Sequence, residues 1–193
     1  AKGHDFPAVT LVCILNADSG LYSVDFRAAE RLYQQLTQVA GRAGRADRPG
    51  QVLVQTRYPE NVSFFRLARH DFSGFVTAEL DQRRLALCPP FVRFTLLRAE
   101  SLQPAVPLEF VSVAARVGHR RLAGQASPAV RLMDPVPSPM ERRAGRYRAQ
   151  LLVTSRAHAP LHRFLNDWLC DLERLKLGRS VRWSLDVDPI EMY

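Results

Sequence analysis

Two arginines, Arg42 and Arg45, stand three residues apart at the end of a predicted helix, beside Gly41 and Gly44. Side chains at this spacing lie on the same side of a helix, and glycines let another backbone or a ligand approach closely. The arrangement suits a triphosphate whose transition state needs extra positive charge. The pair is therefore the sharpest candidate for catalytic chemistry in the sequence.

A second concentration of positive charge lies between positions 116 and 148. The stretch holds eight arginines against Asp134 and Glu141: Arg116, Arg120, Arg121, Arg131, Arg142, Arg143, Arg146 and Arg148. Guanidinium groups match the oxygens of phosphate, and a clustered excess of them indicates a polyanion partner. The alternative is a set of arginines scattered over solvated faces.

Four of these arginines are the candidates for a nucleic-acid surface. Arg146 and Arg148 project from one side of a predicted strand, opposite Tyr147, and we expect Arg142 and Arg143 in the loop before it. Such a surface would bind DNA with a dependence on salt rather than on sequence. Plain solvated surface is the competing interpretation.

Arg156 stands just ahead of the last predicted helix. Together with the free backbone N–H groups of that helix, it is a candidate for binding an acidic peptide tail.

Composition narrows the class of protein. The 193 residues carry 27 Lys and Arg against 19 Asp and Glu, with 47% hydrophobic residues, which is typical of a globular chain of one or two domains. No apolar run is long enough to cross a membrane. Cys13, Cys88 and Cys170 are far apart, so we expect neither a zinc site nor a disulfide, in keeping with a reducing cytoplasm. The first residue, Ala1, falls inside a strand-like pattern, which indicates a fragment.

The predicted elements divide the chain near Pro89-Pro90. Before it, a strand (9–15) expected to be covered on both faces, a helix from Asp25 and a strand (51–56) are typical of a parallel α/β sheet. One long helix is then predicted from 58 to 87. Beyond it, the pattern predicts a βαββαβ unit in which two helices cover one face of the sheet. Trp168 and Trp183 are expected in its core, and Leu108 is expected to point inward.

Two short motifs carry a resemblance to known proteins. Residues 38–45 read Q-x-x-G-R-x-x-R, and Lys2-Gly-His-Asp-Phe-Pro7 precedes them by some 35 residues. In this order they resemble motifs VI and V of superfamily-two helicases. Cys88-Pro-Pro-Phe91, Gly145-Arg-Tyr-Arg-Ala-Gln-Leu-Leu152 and Trp183-Ser-Leu-Asp-Val-Asp-Pro189 extend the resemblance to the primosomal protein N′ family of bacterial replication-restart helicases.

The resemblance implies a fold for each part of the chain. Residues 1–60 would be the end of a second RecA-like helicase lobe, 61–90 a connecting helix, and 91–193 a domain similar to ribosomal protein S10 that binds DNA and protein. It also implies an ATP- and Mg²⁺-dependent 3′-to-5′ DNA helicase in the cytoplasm, associated with the nucleoid. Its partners would be branched and single-stranded DNA, single-stranded-DNA-binding protein and other primosome proteins. The family's zinc site would lie upstream of Ala1.

Roles follow for individual residues. Arg45 matches the motif VI arginine finger and Arg42 a neighbouring catalytic position, while Gln38 and Gly41 match positions near the nucleotide. Gly3 and Asp5 match motif V, and Arg156 would hold the acidic tail of single-stranded-DNA-binding protein. Because the chain has no G-x-x-x-x-G-K-[ST] loop, we expect the fragment alone not to hydrolyse ATP. The alternative is a stand-alone S10-like interaction domain attached to a degenerate, non-hydrolysing motor.

Overall fold

The computed structural model describes residues 9–20, 23, 25–41, 50–123 and 129–192. It divides the chain into two compact units, Ala1–Leu85 and Ala86–Tyr193. Among the described residues, no helix is both long enough and apolar enough to cross a membrane.

The N-terminal unit contains a two-stranded parallel sheet. Strand β1 (Leu11–Ile14) pairs with β2 (Gln51–Val54), and helix α1 (Ala28–Ala40) lies between them in sequence. This confirms the predicted strand, helix and strand. Ile14 and Val54 pack against a small core that includes Leu32, Leu36 and Phe64.

The expectation that β1 would be covered on both faces is wrong for the described residues. Leu11 and Leu53 are 51% and 57% exposed, and Cys13 is exposed as well. The opposite side chains, such as Val12 and Ile14, are half-buried. Within the described chain, one face of the two strands therefore packs against the small core, and the other face is exposed to solvent.

The single long helix predicted for 58–87 is also wrong. The structure has α2 (Val62–Ala68) and α3 (Phe72–Leu85), separated at His70, whose φ is +53°. Asp71 begins the second helix: its carboxylate accepts a hydrogen bond from the Gly74 N–H at 2.8 Å and another from the Arg66 guanidinium. These contacts hold the pKa of Asp71 below its usual value, the Gly74 N–H contributing most.

The C-terminal unit is a mixed α/β domain with an antiparallel sheet. Its elements are β3 (Arg93–Ser101), α4 (Val106–Leu122), β4 (Val130–Leu132), β5 (Val136–Arg143), β6 (Arg146–Ser155), α5 (His158–Glu173) and β7 (Arg182–Val187). The strand order is β4-β6-β3-β7, and β5 pairs with the other end of β6. Compared with the predicted βαββαβ unit, β5 is an additional strand. Pro137 and Pro139 obscure it in the sequence, and both are tolerated because β5 is an edge strand.

Helices α4 and α5 pack on one face of this sheet. The core on that side contains Leu97 and Ala99 of β3, and Ala149, Leu151 and Val153 of β6. Trp168 is fully buried there, as predicted, whereas Trp183 is half-buried and stacks on Phe110 with ring centroids 5.9 Å apart. Leu108 is 38% exposed, so its predicted inward orientation is wrong.

Candidate nucleic-acid interface

The face of the C-terminal sheet opposite the helices carries the alternate side chains of three strands. Because Ala149, Leu151 and Val153 point toward the helices, the residues between them point the other way. Cross-strand neighbours share a face, so the register places Glu100 between Arg148 and Arg182, and Arg98 between Gln150 and Ser184. We call this surface the open face; it is accessible at the end that holds Glu100 and Arg148, whereas Phe94 and Leu96 on the same face of β3 are buried.

The open face concentrates positive charge at one end. Glu100 shares a cross-strand row with two of the arginines there, and Asp186 lies one row beyond Arg98 on the same face. Five arginines lie at this end by register: Arg98, Arg143, Arg146, Arg148 and Arg182. Arg146 and Arg148 stand on one side of β6, as the sequence predicts. Arg98 and Arg182 did not stand out in the sequence, because their place beside Arg148 depends on strand register.

The predicted loop before β6 is wrong, because Arg142 and Arg143 belong to β5. They pair with Tyr147 and Arg146, respectively, across a turn formed by Ala144 and Gly145. Arg142 lies over the Tyr147 ring, 5.3 Å from its centroid, and therefore on the side away from Arg146. The four arginines proposed from sequence consequently do not form one patch: Arg143, Arg146 and Arg148 share the open face, and Arg142 does not.

Ion pairing distinguishes the arginines of the open face. Arg98 donates to the Asp186 carboxylate and to the Glu191 main-chain oxygen. Arg146 lies 3.8 Å from the Glu100 carboxylate. Within the described chain, no carboxylate lies within 4.0 Å of the Arg148 or Arg182 guanidinium. These two groups therefore retain unmatched positive charge.

Arg156 lines a groove at the opposite, apolar end of the open face. The groove has a volume of about 540 Å³ and is lined by Leu87, Val92, Phe94, Met133 and Leu152, with Arg131 and Arg156 among its polar residues. Both arginines are exposed. Arg156 follows β6 directly, and extended Ala157 separates it from the first turn of α5. The arrangement offers apolar surface and positive charge side by side.

The candidate nucleotide-binding residues are only partly described. Gln38 is exposed in the last turn of α1, and Gly41 follows that helix, its N–H donating to the Thr37 oxygen at 3.0 Å. Gly3, Asp5, Arg42 and Arg45 lie outside the described residues. Their proposed roles stay predictions.

The part of the chain that the structure describes contains no candidate metal site. No group of three or more His, Cys, Asp or Glu residues there is placed to hold a metal ion. Cys13 and Cys170 are exposed and Cys88 is half-buried, and all three are free thiols.

The fold and the open face define an α+β domain with helices on one side of its sheet and a cationic surface on the other. The chain belongs to the primosomal protein N family, because the family model described as "Primosomal protein N C-terminal domain" matches residues 84–190.

Known relatives match the whole of this chain but only part of their own length. A protein of Haemophilus influenzae, named "Replication restart protein PriA", is 37% identical over 193 residues, which is 100% of this chain and 26% of the relative. The Bacillus subtilis protein of the same name is 34% identical over 192 residues, 100% of this chain and 23% of the relative. The chain thus spans about a quarter of their length.

Among solved structures, "De novo designed protein Foldit4" is similar with a TM-score of 0.37 and 8% identity, covering 52% of this chain and 99% of that protein. This likeness is too weak to define a fold.

Proposed function

We propose that the chain is the C-terminal portion of an ATP-driven 3′-to-5′ DNA helicase that recognises abandoned replication forks and starts primosome assembly for replication restart. The observation that carries this proposal is the match of the entire chain to proteins named for replication restart. In this proposal the parent protein works in the cytoplasm at the nucleoid, with branched DNA and other primosome proteins as partners.

The N-terminal unit would complete an ATP site without forming one alone. Its parallel strands flanking α1 and the exposed end of that helix at Gln38 and Gly41 are compatible with a motor lobe that meets nucleotide there. Arg45 and Arg42 would stabilise charge on the transferring phosphoryl group, and Gly3 and Asp5 would contribute from motif V. The phosphate loop, Mg²⁺ ligands and zinc-binding cysteines would come from outside this sequence, which has neither the loop nor clustered cysteines.

The C-terminal unit would bind DNA through the open face. Arg143, Arg146 and Arg148 support this role because they lie on the same face of the β5–β6 hairpin. Arg142 would reach DNA only from the other side of the hairpin, where it lies over Tyr147. Phosphate contacts of this kind position a protein on DNA without reading its sequence.

The same unit would bind the acidic tail of single-stranded-DNA-binding protein. The groove lined by Leu87, Met133 and Leu152 supports this proposal, since an apolar residue of a peptide would pack there while Arg131 and Arg156 meet its carboxylates.

The motor proposal is tested with the parent protein and with the 193-residue chain. The parent should hydrolyse ATP when a fork-shaped DNA is added, and Arg45→Ala, numbered as in this chain, should lower kcat by about 10³-fold or more. Arg116→Ala, on an exposed position of α4, is the matched control and should retain full activity. The 193-residue chain should bind the fork without turnover. A parent that binds forks but never hydrolyses ATP would instead support the stand-alone interaction domain with a degenerate motor.

The peptide proposal is tested by fluorescence anisotropy with a labelled acidic peptide that ends in an apolar residue. Arg156→Glu and Arg131→Glu should each reduce affinity, because both reverse a charge at the groove. Arg163→Glu, exposed on α5, makes the same charge change outside the groove. Equal affinities for all three variants would contradict the proposal.

A further inference from the structure

A cavity on the open face joins β7 to the surface proposed for DNA. It has a volume of about 350 Å³, and its polar lining consists of Arg98, Glu100, Arg148, Arg182 and Ser184. None of the arginines proposed from sequence other than Arg148 reaches it. Three guanidinium groups and one carboxylate therefore meet in a space large enough for a phosphate group.

The internal contacts of this cavity leave two of its arginines available. Arg98 is held by Asp186 and the Glu191 oxygen, and Glu100 lies nearest to Arg146, at 3.8 Å. Arg148 is half-buried, and its Nη1 atom is inaccessible and has no hydrogen-bond partner. A buried guanidinium N–H without an acceptor costs free energy, and a small shift of this side chain toward a bound anion would recover it.

Arg182 is the second available arginine of the cavity. It is exposed on β7 and faces the same side of the sheet as Arg148, with Glu100 between them in register. Two strand spacings place the two backbones about 10 Å apart, a separation that two long side chains can close onto one anion. The Ser184 hydroxyl is a further donor along the same strand.

We propose that the Arg148–Arg182 cavity is a subsite for the DNA phosphate backbone, and that Arg182 is a DNA-contacting residue additional to those on β5 and β6. The inference rests on the proposed function of the open face as a DNA surface. The guanidinium fork matches two phosphate oxygens at once. The Glu100 carboxylate lies 3.8 Å from Arg146, and it is the one acidic side chain in a described lining that holds three arginines, so the net charge of the cavity favours an anion. The contact is to phosphate, so it is independent of base sequence.

The test uses the 193-residue chain, a fluorescein-labelled fork DNA and a titration of salt between about 50 and 200 mM. Arg182→Ala should raise the Kd about tenfold, the loss of one charge-assisted hydrogen-bonded contact. It should also reduce the slope of log K against log[salt] by about 0.9, the value for one phosphate contact. Arg116→Ala removes the same charge from the helix side and should change neither quantity. Because Arg182 is exposed, an unchanged melting temperature is expected for its variant.

Two further arms separate the failure of this inference from that of the proposed function. If Arg182→Ala behaves like Arg116→Ala while Arg143→Ala and Arg146→Ala weaken binding, the subsite is wrong and the DNA surface stands. If none of these variants weakens binding, both are wrong. Inorganic phosphate and ATP are also titrated without DNA: saturation at millimolar levels that Arg182→Ala abolishes, with fork affinity unchanged, would assign the cavity to a free phosphate compound and overturn the proposal.

Discussion

The indole N–H of Trp168 donates a hydrogen bond to the main-chain oxygen of Ala114, 3.1 Å away, at a point where both residues are fully buried. The bond joins α5 to α4 beneath the sheet. Gly118 makes room for Leu132 and Trp168 together, since a Cβ atom there would lie 2.5 Å from Leu132 Cδ2 and 3.3 Å from the indole nitrogen.

Trp168→Phe should therefore destabilise the C-terminal unit by about 2–3 kcal/mol. The substitution removes one buried hydrogen bond and leaves part of the indole volume empty. Urea unfolding followed by circular dichroism measures the change. Leu102→Ala, at a side chain 67% exposed just after β3, should change stability by less than about 0.5 kcal/mol; similar losses for the two variants would contradict the central role of the indole contact.

Arg83 links α3 to α1 in the N-terminal unit. Its guanidinium lies 2.9 Å from the Glu30 carboxylate and 2.8 Å from the Glu79 carboxylate. Burial alone would lower the pKa of Arg83, but the hydrogen bonds to Glu30 and Glu79 outweigh it and raise the pKa. Arg83→Ala should cost about 1–2 kcal/mol, because it leaves the largely buried Glu79 without its partner.

A double-mutant cycle isolates the contact between the two helices. Arg83→Ala and Glu30→Gln should couple by about 0.5–1 kcal/mol in urea unfolding, since the two groups touch directly. Arg84→Ala is the matched control: its side chain is 66% exposed and lies 3.5 Å from Asp81, so it should cost less than about 0.5 kcal/mol. If the free-energy changes of Arg83→Ala and Glu30→Gln simply add in the double variant, the ion pair does not stabilise the contact between the two helices.

The stability of the break between α2 and α3 should depend on pH through the Asp71 carboxylate. Its pKa is lowered by the Gly74 N–H and by Arg66, so its contribution to stability is complete above the ordinary carboxyl pKa of about 3.9 and is lost as pH falls through the lower, folded value. Asp71→Asn keeps an oxygen for Gly74 but loses the charge that meets Arg66. The difference in melting temperature between the two proteins should narrow from pH 7 down to pH 3; a difference that widens toward the acidic end would contradict the assignment.

The sequence predicts those elements whose own pattern is long and regular. Helix α5 and strands β6 and β7 each repeat apolar residues with one clear period, which predicts a helix over 158–175 and strands over 146–154 and 181–188. The structure has each element within about two residues of these bounds. Strand β5 has no such period, because its pairing with β6 rather than its own side chains makes it a strand. The break at His70 depends on one backbone angle and on the Asp71 cap. The helical spacing of Phe65, Ala68, Phe72 and Phe75, which predicts one long helix, continues across it.

For the candidate DNA surface, the sequence predicts which arginines share a face only when they belong to the same strand. Alternation along β6 is enough to place Arg146 and Arg148 together. Pairing Arg148 with Arg182 requires the register of β3 against two neighbours, and 34 residues separate them in sequence. The sequence predicts Arg142 in a loop, where a side chain has no fixed face; in strand β5 the register places it opposite Tyr147 and away from Arg146.

The turn between β5 and β6 should set the stability of this hairpin. Ala144 and Gly145 have φ values of +48° and +80°, the left-handed pair that a two-residue hairpin turn of type I′ requires. Alanine costs about 1 kcal/mol in this region and asparagine less. Ala144→Asn should therefore stabilise the hairpin by about 0.5–1 kcal/mol, and Gly145→Ala should destabilise it by about 1 kcal/mol.

Hydrogen exchange at the amides of Arg143 and Arg146, which pair across this turn, measures both changes. Protection should rise for Ala144→Asn and fall for Gly145→Ala, with exchange in α4 unaffected. A turn held only by the rest of the sheet would show no change in either variant. Because Arg143 and Arg146 belong to the proposed DNA surface, fork affinity should follow the same order, the more ordered hairpin binding more tightly since less conformational entropy is lost on binding.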